Sequence, residues 1–247
     1  VLVTGAGGFV GPHLCRLLAT QPGWTVHAVS RGPADLPAGV RAHRHDLLDA
    51  PATARLLAAT RPGVIVHLAG QSSVARSLQD PAGTLTANVL GLLHLLEGCR
   101  AGGLDPLIVV AGSAEEYGQS ARAHAPLTEN CPLEPVNPYA VSKVAQELLG
   151  QQYHLSHGLR VVRLRLFNHI GPGQRAGFAL TDFARQIAAI EAGRQPPVVR
   201  VGNLAARRDF LDVRDVAGAY LAAIERGRPG AVYNVGSGRA LSIRAVL

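Results

Sequence analysis

Apolar positions along the chain fall into two alternating kinds of segment. Short, nearly unbroken apolar runs end in glycine or another small residue: "VLVTG" (1–5), "WTVHAVS" (24–30), "GVIVHLAG" (63–70), "PLIVVAGSA" (106–114) and "RVVRLRLFN" (160–168). "VRAHRHDL" (40–47) is a more polar strand of the same length. Between these runs, residues 8–20, 51–60, 84–101 and 138–157 repeat their apolar positions with helical period, and a proline opens 51–60 where a first turn tolerates it. Strands apolar on both faces and separated by helices predict a parallel sheet covered on both sides, an α/β architecture.

The rhythm loosens after Asn168, where Gly and Pro punctuate "NHIGPGQRAGF". The pattern therefore predicts a main domain over 1–168 and a smaller mixed lobe over 169–247, with 214–235 returning to the main layer. Residues 84–101 carry more apolar positions than one buried face needs. Leu85, Val89, Leu92, Leu93 and Leu96 form the expected core stripe, with Leu90 and His94 to its side. Both ends read as cut: the chain begins in mid-strand without Met and stops inside a helical pattern, "SIRAVL".

Composition narrows the function classes. A net charge of +7 favours anionic partners, but the arginines are spread along the chain, which argues for a phosphate-bearing small molecule and against nucleic acid. No apolar run reaches the ~18 residues of a membrane span, and no leader-like segment opens the chain. Cys15, Cys99 and Cys131 are too few and too scattered for a disulfide framework, which fits a reducing cytoplasm. The ten histidines make no HExxH and no metal site is expected.

Between the first strand and first helix stands T-G-A-G-G-F-V-G, with glycines at 5, 8 and 11. Gly5 suits a tight turn, Gly8 a close backbone approach to a pyrophosphate, and Gly11 close packing of helix on strand. The start of the helix, at Phe9 and Val10, then faces the anion. This predicts dinucleotide binding on a Rossmann-type, doubly wound sheet. A second clue is compositional: "PYAVSK" (138–143) contains the only lysine in a chain with 23 arginines. A solvated cation would be served equally by arginine, whereas a site needing a compact ammonium would not.

With its G-x-x-G-x-x-G spacing and Y-x-x-x-K at Tyr139 and Lys143, the sequence resembles the extended, nucleotide-sugar-modifying branch of the short-chain dehydrogenase/reductase superfamily. The resemblance implies a catalytic triad of Ser113, Tyr139 and Lys143, the serine at the end of the strand preceding the tyrosine helix. Residues i and i+4 share a helix face, so the ammonium is expected to lower the tyrosine pKa toward the working range. Glu115, in "SAEEYG", matches a carboxylate that removes a sugar C5 proton in 4,6-dehydratases, although reductases carry a similar stretch. By the same resemblance Asp46 and Leu47 would line an adenine, and Leu68, Ala69 and Gly70 would pass beneath the cofactor.

The second strand ends in Ser30-Arg31 with no acid to bond a ribose 2′-hydroxyl, so NADP(H) is favoured and NAD(H) remains possible. F-N-H-I-G-P-G-Q (167–174) and V-G-N-L-x-x-x-R-D-F (201–210) look most like GDP-4-dehydro-6-deoxy-D-mannose reductases. That likeness implies Asn168 on the sugar or diphosphate, Arg208 on a phosphate and Ser72 facing the sugar, with Arg175 and Arg185 as weaker candidates. The leading expectation is NADPH-dependent reduction of the 4-keto group of a GDP-6-deoxy-hexulose. GDP-mannose 4,6-dehydratase or 4-epimerase chemistry with a tightly held cofactor is the alternative, and a non-catalytic dinucleotide sensor a distant one. Family members commonly pair the helices at 84–101 and 138–157 across a two-fold axis, so a homodimer through them is expected.

Overall fold

The computed structural model describes all 247 residues. The elements run β1 (Leu2–Thr4), α1 (Val10–Ala19), β2 (His27–Ser30), β3 (Arg41–Arg44), α2 (Ala50–Thr60), β4 (Val64–His67), α3 (Val74–Gln79) and α4 (Pro81–Leu85). A π-helical turn (Thr86–Leu90) leads into α5 (Gly91–Ala101), then β5 (Leu107–Ser113), a 3-10 turn (Ala114–Tyr117) and α6 (Ser120–Ala123). The chain continues through α7 (Pro138–His157), β6 (Arg160–Leu166), β7 (Asn168–Ile170), α8 (Ala179–Glu191), β8 (Arg207–Asp212), α9 (Val213–Arg226), β9 (Val232–Val235), β10 (Ala240–Ser242) and α10 (Ile243–Val246).

Seven parallel strands form one sheet in the order β3-β2-β1-β4-β5-β6-β9. The order reverses between β1 and β4, and open sheets of this kind bind ligands at the strand ends beside such a reversal. One face buries Val3, Leu14, Leu18, Val109, Leu164, Val216 and Tyr220 between the sheet and α1 and α9. The other buries Leu2, Leu57, Ile65, Leu95, Leu96 and Ile108 beneath α2, α5 and α7. A second sheet, β10-β8-β7, carries the smaller lobe. α9 and β9 belong to the larger layer, although they follow the lobe's first strands in sequence.

One expectation is corrected. The segment 84–101 is not a single α-helix, because the π turn at Thr86–Leu90 adds a residue to one turn and rotates the helix beyond it. The buried stripe is therefore Asn88, Leu92, Leu95, Leu96 and Cys99, whereas Leu85 is 38% exposed and Val89 and Leu93 are only half-buried.

Candidate active site

The phosphate loop shows why its glycines are glycines. Gly5 sits at φ +70°, and a Cβ there would come within 2.6 Å of the Ala69 nitrogen. A Cβ on Gly11 would lie 2.3 Å from the Ala6 carbonyl oxygen, so α1 seats on β1 only because none exists. At Gly8 the nearest obstacle is the loop's own Gly5 oxygen at 3.1 Å, which leaves the outer side open. No side chain caps α1 and no acid stands in its first turn, so its N-terminal N–H groups remain available to an anion.

β5 is buried along its whole length and ends at Ser113. The next turn closes a capping box: the Ser113 hydroxyl accepts the Glu115 N–H at 3.2 Å, and Glu116 Oε1 accepts the Ser113 N–H at 2.6 Å. α7 begins opposite, with Asn137 accepting the Ala140 N–H at 2.8 Å and Pro138 at its first position, so that Tyr139 falls in the first turn. Lys143 follows one turn on. Its Nζ donates to the Ala111 carbonyl at 2.9 Å and to Gln146 Oε1 at 2.8 Å, and the chain leaves its third N–H without a partner.

The electrostatics depart from the expected lowering of the Tyr139 pKa. Burial pushes the Tyr139 hydroxyl up to about 12, and the Glu116 and Glu115 carboxyls add to that shift against the opposing Ser113 hydroxyl. Burial also pulls Lys143 down to about 8, with Glu116 opposing. The Lys143 Nζ lies 6.0 Å from the Tyr139 ring centre and is committed to Ala111 and Gln146. Burial is the largest influence on the Tyr139 hydroxyl and acts against the expected lowering.

A cleft of about 690 Å³ joins these parts. Gly5, Gly8, Phe9, Val10, Gly11, Leu68 and Gly70 line one end, and Ser113, Glu115, Tyr139 and Lys143 its middle. Ser72, Asn168, Arg175 and Arg208 reach the other end. Arg208 makes no ion pair: Asp209 accepts from Ser237 and Gly238, and Asp212 from Arg214. Asn168 Nδ2 donates to the Asp209 carbonyl at 3.4 Å.

Several expected residues lie apart from the cleft wall. Leu47 is buried against Gly91 of α5 and Asp46 accepts the Leu48 N–H, and neither lines this cleft. Ala69 packs into the core and donates its N–H to Thr4 Oγ1. Arg31 is exposed just beyond β2, and Arg185 on α8 lies outside the lining.

Two features escaped the sequence reading. Asn88, buried in the π turn, accepts the Gln71 N–H at 2.7 Å and donates to the Gln71 carbonyl and to Ser142 Oγ, pinning the Gly70–Ser72 wall to α7. A polar residue inside the apolar pattern "TANVLG" was its only signal. The phosphate loop also touches the substrate end directly. Phe9 stacks on His169 with ring centres 5.8 Å apart, and the His13 ring is 2.9 Å from the Pro172 carbonyl.

Residues 1–236 match the NAD dependent epimerase/dehydratase family. The chain belongs to that family. It is 42% identical to GDP-6-deoxy-D-mannose reductase of Pseudomonas aeruginosa over 248 residues, covering 100% of this chain and 77% of that protein. It is 36% identical to dTDP-glucose 4,6-dehydratase of Streptomyces griseus, covering 98% and 74%. Among solved structures, RMD from Pseudomonas aeruginosa complexed with NADPH superposes with a TM-score of 0.86 at 42% identity, covering 99% of this chain and 80% of that one. The seven-stranded sheet is thus that of an epimerase/dehydratase-family enzyme.

Proposed function

We propose that the protein reduces the 4-keto group of a GDP-4-dehydro-6-deoxy-hexose with NADPH. The observation that carries this reading is the pair of hydroxyls, Tyr139 and Ser113, in the middle of the cleft, since a keto reduction needs a proton donor where oxygen charge develops. The relative named GDP-6-deoxy-D-mannose reductase and the NADPH in the similar RMD structure give the sugar and the cofactor. The residues fit a bound dinucleotide: the open side of Gly8 and the uncapped start of α1 accept a pyrophosphate, and Arg31 stands free beyond β2. When bound, the nicotinamide supplies the hydride.

The chain's own residues do the rest. Tyr139 gives its proton to the carbonyl oxygen, and the Ser113 hydroxyl donates a second hydrogen bond to the same atom. The remaining N–H of Lys143 would be available to the cofactor's ribose hydroxyls, and its positive charge would stabilise the tyrosinate left behind. Ser72 and Asn168 orient the sugar, and Arg208, with Arg175 nearby, clamps the diphosphate.

The deciding experiment is cofactor stoichiometry. Incubated with a GDP-4-dehydro-6-deoxy-hexose, the enzyme consumes one NADPH per sugar reduced. A second reading rests on Glu115, which lines the cleft two residues after Ser113 and is placed to remove a sugar proton. Conversion of GDP-mannose without net NADPH loss would establish that dehydratase chemistry instead.

The protein acts as a cytoplasmic homodimer in this reading. The outward sides of the π-turn region and α7 leave Leu85, Leu90, Val141 and Leu148 exposed, at 38–53%, a wide apolar surface for a two-fold contact. Light scattering is expected to give the dimer mass, and Leu90→Glu with Leu148→Glu to give monomers. No helix is long and apolar enough to cross a membrane.

A further inference from the structure

Glu115 and Glu116 are adjacent acids with opposite fates. The first faces the cleft, and the second turns inward to 0% exposure behind Ser113. Its Oε1 accepts the Ser113 N–H at 2.6 Å, and its Oε2 has no donor within reach. The nearest cation, Arg165, stands 3.8 Å from Oε2, but its Nε and one terminal nitrogen already grip Glu147 at 2.8 and 2.6 Å. The other terminal nitrogen donates to Tyr117 and the Glu129 carbonyl. Glu147 and Glu116 thus both lie against Arg165, at 2.6 and 3.8 Å, and a carboxyl oxygen buried with no donor is held at lower cost with a proton than with a charge. Glu147 holds the arginine, so the proton belongs on Glu116 Oε2.

We propose that Glu116 is a protonated positioning residue, whose neutral carboxyl holds Ser113 at the end of β5 and whose ionisation at alkaline pH adds a negative charge behind Tyr139 and Lys143. The fold is shaped for it. A Cβ on Gly112 would stand 2.7 Å from Glu116 Oε1 and 2.9 Å from the Leu164 carbonyl oxygen, so the glycine leaves room for both the carboxyl and the neighbouring strand. The groups facing it are Ser113 from β5, Arg163 and Arg165 from β6, Tyr139, Lys143 and Glu147 from α7, and Tyr117 from its own turn. Burial and the Glu147 carboxylate hold Glu116 well above the usual carboxylate range. Once ionised, Glu116 favours the Lys143 ammonium and opposes the tyrosinate, so the lysine keeps its charge to higher pH than burial alone would allow.

The kinetic arm rests on the reductase reading; a spectroscopic arm does not. In the infrared, the wild-type protein at neutral pH is expected to show the C=O stretch of a protonated carboxyl, which disappears on alkaline titration and is missing from Glu116→Gln. In NADPH-dependent turnover, Glu116→Gln preserves the Ser113 grip and a neutral side chain and is expected to retain most activity at neutral pH. Its alkaline limb falls at lower pH than wild type, because Lys143 loses its supporting charge. Glu116→Ala orphans the Ser113 N–H and loses about tenfold or more in kcat at every pH. The proposal is overturned if wild-type protein at neutral pH shows no protonated carboxyl, or if its band persists in Glu116→Gln. It is overturned equally if Glu116→Gln is as damaged as Glu116→Ala at neutral pH, or if its pH profile superimposes on wild type. Should the protein reduce no keto-sugar at all, the function reading fails and the infrared band still decides the state of Glu116.

Discussion

The seven-stranded half and the three-stranded half of the molecule are held together by different forces. In the first, β5 is buried at every position and β6 at all but one, and α1, α5 and α9 each press several side chains into a continuous core. In the second, no β8 residue is fully buried and α8 buries only Phe183. Polar contacts fill the gap there. Asp209 collects three donors from Ser237 and Gly238, Gln186 clasps the backbone of Arg200 from both sides, and Gln174 joins His169 to Thr181. Packed cores resist deformation, whereas a lobe built on exposed hydrogen bonds opens and closes at small cost. The proposed reacting groups Ser113, Tyr139 and Lys143 stand on the stiff half, and the proposed substrate contacts Asn168 and Arg208 come from the yielding one. Chemistry is fixed and substrate fit is adjustable.

The sharpest way to break this contrast is at Lys143. Lys143→Arg keeps the charge but puts a larger planar cation into a 6%-exposed slot shaped by the Ala111 carbonyl and Gln146. Turnover is expected to fall by about a hundredfold or more, because misplacing a reacting group by an ångström costs that much. Near-normal turnover would show that the stiff half tolerates what packing forbids. Truncation in the core tests the same stiffness thermodynamically. Ile108, at 0% exposure in β5, is expected to cost about 4 kcal/mol as Ile108→Ala in a denaturant titration. A loss under ~1 kcal/mol would contradict the packing picture.

Lys143 also gives this half a pH signature. Its folded pKa, about 8, lies below the 10.5 of an unperturbed lysine. Between these values the unfolded chain binds the extra proton, so this residue makes stability rise with pH in that window and costs stability below it. Lys143→Met is expected to be more stable than wild type below pH 8 by an amount on the order of 3 kcal/mol, a difference that shrinks toward pH 10.5. A constant difference across that window would place the lysine pKa near its ordinary value.

Legibility in the sequence follows the same division. Strands buried on both faces write themselves as apolar runs, so β1, β4, β5 and β6 could be read directly, and so could the extent of α7 over 138–157. The glycine loop was legible because steric demands at Gly5 and Gly11 leave no other residue. The π turn was not: one extra residue in a helix leaves no mark on the apolar pattern until its rotation exposes Leu85 and buries Asn88. The Tyr139 pKa was misread for a related reason. Spacing shows that Lys143 is one turn away, but the sequence does not show that Ala111 and Gln146 occupy its ammonium or how deeply the phenol is buried.

At the edge of the stiff half, Arg31 offers a smaller effect. It is exposed just beyond β2, the strand end at which such folds read the adenosine ribose. Arg31→Asp is expected to move the NADPH-to-NADH preference, measured as a ratio of kcat/KM values, by roughly tenfold toward NADH, about 1.4 kcal/mol of lost charge-assisted bonding. An unchanged ratio would mean that the 2′-phosphate is read by other residues.

The smallest expected effect lies across the cleft at Phe178. This ring begins α8, lines the cleft and is 40% exposed, so it contributes contact to whatever fills the cleft and little to the core. Truncating a residue this open typically changes stability by no more than ~0.5 kcal/mol. Ligand contact is another matter: losing some 40 Å² of apolar contact is worth about 1 kcal/mol, a roughly fivefold rise in KM for the nucleotide sugar. Phe178→Ala is therefore expected to leave the melting transition nearly where it was and kcat little changed, while KM climbs. Should it instead melt like Ile108→Ala, the smaller lobe would have to be counted as core, and the division between fixed chemistry and adjustable fit would fall.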